Sequence, residues 1–65
     1  MKIKAKIVIM SHLSDAQELI GFSSSSEAVE RINFAKYLLL HCGNDLEQEI
    51  DADYMYNMFQ ESRKK

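Results

Sequence analysis

Polar and apolar residues alternate through the first residues of the chain, with lysine at 2, 4 and 6 and isoleucine or alanine at 3, 5, 7 and 9. A strand sends successive side chains to opposite faces, so this spacing predicts one cationic and one apolar face over a strand at 2–10. Val8 and Met10 continue the lysine side as apolar residues, so the far end of that face is expected to be covered as well. A lone strand leaves its backbone N–H and C=O groups unpaired, and the simplest supplier of a mate is a second copy of the same chain. The expected homodimer contact then includes Ile3, Ile7 and Ile9.

Helical spacing takes over afterwards. Leu13, Ala16, Leu19 and Ile20 predict a first helix over 12–20, with Ser14 and Gln17 as a capping box, Ser11 as the competing cap and Gly21 as a left-handed stop. The serines at 23–26 read as a loop whose last members cap a second helix over 27–42, ended by Gly43. In that helix Ala28, Ile32, Ala35, Leu39 and Cys42 recur at spacings of four, three, four and three, which is one buried stripe. Val29, Phe34, Tyr37, Leu38 and Leu40 add apolar surface on other sides. A helix apolar beyond one stripe is usually surrounded by protein, which brings Leu38 into the expected dimer contact. Leu46, Ile50, Tyr54 and Met58 fit either one long helix or an acidic link followed by a helix over 51–62 capped by Asp51; the second is preferred. The fold class is therefore α+β, in one domain over 1–65, with one N-terminal strand and two or three helices.

Size sharpens the need for a partner. A chain of 65 residues buries only about 60% of its unfolded surface. One cysteine excludes an intrachain disulfide, and with two histidines it makes a four-ligand zinc site improbable. No apolar run approaches the roughly 20 residues that span a bilayer, and 7–10 is too short for the core of a signal peptide. A cytoplasmic setting with Cys42 reduced is expected, with no membrane partner and no cofactor. The net charge of −2 hides a polarised chain: lysines at 2, 4 and 6, six acids between 45 and 61, and Arg63, Lys64 and Lys65 at the end.

No catalytic pattern stands out. Acids at 45, 47, 49, 51 and 53 suggest a calcium loop, but Ile50 and Tyr56 fall where its glycine and its last glutamate belong. A solvated acidic surface is the plain alternative, and a more specific one is that this segment pairs with the lysine face, as a strand or by charge. His41 and Cys42 are adjacent on a helix, so they do not face each other, and a helix C-terminus disfavours a thiolate. Cys42 reads as a small core residue, and His12 has no recognisable partner. No frame surrounds any serine that would mark it as a nucleophile, and the chain is read as a non-enzyme. Met55 and Phe59 either cover the core or, with Glu47, Glu49 and Asp51, form a docking face for another protein.

Lys2, Lys4 and Lys6 remain. A two-stranded ribbon fits a DNA major groove, and two copies would present six lysines; the plain alternative is protection of an exposed strand edge. A strand, a short helix, and then Gly21-Phe22-Ser23-Ser24-Ser25-Ser26-Glu27-Ala28-Val29 opening a longer helix resembles the ribbon-helix-helix family over residues 2–42. The resemblance implies a dimer joined through an antiparallel ribbon, with Lys2, Lys4 and Lys6 as the outward residues that touch double-stranded DNA. A DNA-binding regulator is thus the first expectation. The second is a protein-interaction factor, an inhibitor or adaptor of the kind a phage or mobile element carries, docking through its acidic segment or its last helix.

Overall fold

The computed structural model describes residues 1–63, in the order β1 (Lys2–Lys4), α1 (Ala5–Gly21), α2 (Ser25–Cys42), β2 (Glu49–Asp51) and α3 (Ala52–Arg63). It is a small α+β fold of two short strands and three helices, with α1 and α2 as its principal packed pair.

The expected strand is cut to its first three residues. β1 pairs antiparallel with β2 of its own chain, Lys2 opposite Asp51, Ile3 opposite Ile50 and Lys4 opposite Glu49. The mate assigned to a second copy is thus supplied by the acidic segment, through the pairing its alternation had suggested. From Ala5 onward the same residues satisfy a helical period, since Ala5, Val8, Ile9 and Ala16 all turn inward. The start of a helix leaves its first N–H groups without intrahelical partners. Here the Ala5 N–H donates to the Gln48 carbonyl at 2.8 Å and the Lys6 N–H to the Leu46 carbonyl at 2.9 Å. The link before β2 therefore caps α1, and no side-chain cap is used.

α1 accordingly runs from Ala5, seven residues before the expected start at 12, and Ser11, Ser14 and Gln17 lie inside it. Its end is a Schellman motif: the Ser24 N–H donates to the Leu19 carbonyl and the Ser23 N–H to the Ile20 carbonyl. The left-handed residue is Ser23, at φ 64°, where Gly21 had been expected. α2 follows from Ser25 with no side-chain cap from the serines, and stops at Gly43, whose φ of 62° suits glycine. Asp51 caps α3 as expected: its Oδ1 accepts from the Asp53 N–H at 3.1 Å and the Tyr54 N–H at 3.3 Å.

The core is centred on Phe34 and Leu38, both essentially without exposed surface. Around the Phe34 ring stand His12 at 4.8 Å, Tyr56 at 5.2 Å and Phe59 at 5.3 Å between ring centroids, so one aromatic side chain joins all three helices. This turns α2 relative to the expected stripe. Ala28, Ala35 and Cys42 are buried, but Leu39 is 41% exposed and Ile32 only half-buried. The larger aromatic ring fills the three-helix junction and rolls the smaller aliphatic edge outward. α3 is held to α2 by one carboxylate: Glu30 Oε1 accepts from Arg63 Nη1 at 2.9 Å and from Tyr56 Oη and Gln60 Nε2 at 3.1 Å each. Those hydrogen bonds, with the Arg63 charge, hold the Glu30 carboxyl below its ordinary range.

Candidate binding surfaces

The lysine face exists, but it is matched by acids. The register sets Lys2 across from Asp51 and Lys4 across from Glu49. Glu47 lies in ion pairs with both Lys4, at 3.2 Å, and Lys6. Hydrogen bonds from Lys6 and then Lys4 keep the Glu47 carboxyl below its ordinary range. The Met1 ammonium adds a further contact to Asp51 at 4.0 Å. Of the three lysines, only Lys2 has no ion pair among the described residues. All these groups are well exposed, so each pair contributes little to stability. Their effect is electrostatic: three lysines stand against three carboxylates on one small face.

The other expected site residues scatter. Ile9 and Leu38 lie in the chain's own core, which removes them from any surface contact. Ile3 packs against the core edge, and only Ile7, 51% exposed, faces outward. Met55 and Phe59 are core residues too, because α3 lays its one apolar stripe against Phe34 and Tyr37. Glu47 and Glu49 are exposed and opposed by lysines, whereas Asp51 serves as a helix cap. Cys42 is buried as expected, and burial followed by the Asp45 charge raises its thiol pKa, which leaves it a poor nucleophile.

Two concavities were not expected from sequence. The first is an apolar groove of about 470 Å³ between α1 and α2, lined by Met10, Leu13, Ala16, Gln17, Ile20 and, from α2, Ile32. Met10 is 66% exposed and Ile20 58%. On α2, Val29 and Leu39 share the face of Ile32 by helical spacing and are also exposed. Of these residues, sequence alone puts Met10 on the lysine side of a strand, Val29 on a further apolar side of α2, and Ile32 and Leu39 in its buried stripe.

The second is a cleft of mixed polarity, about 400 Å³, where the three helices meet, bordered by His12, Arg31, Ala52, Asp53, Tyr56 and Asn57. A smaller cavity of about 270 Å³, bordered by Glu27 and Glu30, shares His12, Arg31 and Tyr56 with it. His12 Nδ1 is itself buried, with no hydrogen-bond partner among the described residues. Burial, and then the Arg31 charge, lowers the His12 pKa against the opposing pull of Asp15, so the ring is neutral near pH 7. Among the described residues no cluster of His, Cys, Asp or Glu is arranged to hold a metal ion, and no helix is long and apolar enough to cross a membrane.

No family model, curated protein or solved structure matches the chain.

Proposed function

We propose that this chain is a non-enzymatic binding protein that works through protein–protein contact, and that a second copy of itself occupies the α1–α2 face. The observation that carries this is the exposed apolar groove, with Met10, Leu13 and Ile20 standing out of α1 beside Ile32 of α2. Apolar side chains gathered on one face of so small a chain mark an interaction site. A copy of the same chain suits the spacing. Met10, Leu13, Gln17 and Ile20 recur at three, four and three, and so do Val29, Ile32, Lys36 and Leu39. Such spacing reads the same in both directions. A two-fold axis across the helices lays each stripe antiparallel on its copy, so that Met10 faces Ile20 and Val29 faces Leu39.

The energetics set the strength of this pair. Met10, Leu13, Ile20, Val29 and Leu39 are each between 41% and 66% exposed. Covering them yields about 1 kcal/mol per side chain, on the order of 10 kcal/mol for two copies. Association costs about 4–15 kcal/mol, which leaves at most about 6 kcal/mol, so a dimer with a Kd of tens of micromolar or weaker is expected. Sedimentation across about 5–500 µM tests it. A mass that rises from one to two chains, and stays at one in the Leu13→Glu, Ile20→Glu double variant, supports the reading. A single chain at every concentration rejects it.

The ribbon-helix-helix resemblance pointed instead to a duplex-binding lysine face. The carboxylates of Glu47, Glu49 and Asp51 beside those lysines favour the protein-contact reading, because phosphate binding draws on uncompensated positive charge.

A further inference from the structure

A thioether packs like a hydrocarbon until an oxygen on its sulfur makes it polar. The chain has four methionines. Met55 is buried in the core, and Met58 is half-buried against it. Met1 is exposed, but it stands at the ribbon, where its ammonium reaches Asp51 at 4.0 Å. Met10 alone is both exposed, at 66%, and part of the wall of the α1–α2 groove. The other large apolar residues of that wall, Leu13, Ile20 and Ile32, are hydrocarbons that a peroxide leaves untouched.

The place of Met10 magnifies what one oxygen does. This argument rests on the dimer reading above, in which Met10 of each copy faces Ile20 of the other, so one sulfoxide per chain puts two into a single interface. In the free chain water serves the new S=O acceptor. In the pair the hydrocarbon of Ile20 stands opposite it, and a polar group covered without a donor opposes association. Met10 lies outside the core cluster, so the fold of the single chain does not depend on its side chain. A weak dimer also exchanges with free chains, which keeps the sulfur open to attack.

We propose that Met10 is a redox-sensitive residue of this groove, whose oxidation by a peroxide turns off self-association and leaves each chain folded. The sulfur attacks one oxygen of hydrogen peroxide, and an S–O bond forms as the O–O bond breaks. The thioether loses two electrons to the peroxide, whose other oxygen leaves as water with both protons. A dithiol reverses the step through a methionine sulfoxide reductase: the oxygen leaves as water and the two thiols close to a disulfide.

The purified chain is treated with hydrogen peroxide, mapped by mass spectrometry and sedimented across about 5–500 µM. An added oxygen on Met10 as well as Met1 is expected, with an unchanged far-UV circular dichroism spectrum. Loss of apolar burial on both copies should weaken pairing by about tenfold or more, and reductase with dithiothreitol should restore it. Met10→Leu keeps the volume, so it should pair like the untreated parent and go on pairing after peroxide, with Met1 oxidised. Met10→Gln should imitate the oxidised parent without peroxide. An untreated parent that stays single at every concentration removes the dimer reading and this inference with it. The inference alone is overturned by a parent that pairs equally well once Met10 carries its oxygen, or by Met10 left intact while Met1 is oxidised. A Met10→Leu protein that dissociates in peroxide, or an oxidised parent that loses its helical signal, overturns it too.

Discussion

Replacing Ser23 by glycine should make the protein more stable. Ser23 holds the left-handed position that closes α1, at φ 64°, while its N–H and that of Ser24 serve the carbonyls of Ile20 and Leu19. A side chain in that conformation costs about 1–2 kcal/mol, a cost glycine escapes. Glycine surrenders about 0.5–1 kcal/mol through the greater freedom of its unfolded chain. Among the described residues, the Ser23 side chain makes no hydrogen bond that would be lost. The net gain is about 0.5–1 kcal/mol. For 65 residues the unfolding entropy is about 0.14 kcal/mol/K, so Tm should rise by about 4–7 °C. Thermal melts by far-UV circular dichroism at fixed protein concentration read this directly. Ser23→Ala is the control, since it removes the hydroxyl and keeps the strained backbone, and it should melt no higher than the parent. A Ser23→Gly protein that melts at or below the parent temperature refutes the assignment of the left-handed residue.

Gly43→Ala should cost about 1–3 kcal/mol in denaturant melts. The cost comes from φ 62° and ψ −124° alone, because an added Cβ meets nothing within 4 Å. Phe34→Ala should cost about 3–5 kcal/mol, comparable with the whole stability of so small a domain, and abolish the cooperative transition in urea. Glu47→Gln should lower stability slightly at neutral pH and not at all in strong acid. The Glu47 pKa is depressed in the fold, so its contribution is present above the ordinary carboxylate range and disappears as the pH drops through the folded value. Persistence of the gap at pH 2 would contradict the ion pairs with Lys4 and Lys6. In low-salt anisotropy with duplex DNA, a Glu47→Gln, Glu49→Gln, Asp51→Asn variant should bind more tightly than the parent. Micromolar binding by the parent that vanishes when Lys2, Lys4 and Lys6 become alanine would restore the duplex reading.

Local pattern located the helices better than it located their faces. The stop at Gly43 and the Asp51 cap rest on nearest-neighbour chemistry, and both were readable. The first ten residues were not, because an alternation of five or six residues also fits one turn and a half of helix. Which period prevails is settled by Leu46 and Gln48, whose carbonyls catch the N–H groups of Lys6 and Ala5. Acids at every second position from 45 to 53 did hint at a match for the lysines. The Lys4–Glu49 register, however, joins residues that no local window contains. The same limit applies to the cleft. His12, Arg31 and Asp53 sit on three helices, and only the packing of those helices brings them to the border of one cleft.

The backbone bonds from Ala5 and Lys6 to Gln48 and Leu46 also impose a timetable. Helices α1 and α2 are neighbours in sequence and can pair early, whereas the opening turn must wait for a segment roughly forty residues downstream. On the ribosome, then, Lys2 to Lys6 emerge well before the segment that pairs with them and settle only once it arrives. Until the acidic stretch arrives, the nascent chain carries a bare run of lysines, and a basic ribbon lies open to whatever anion is near.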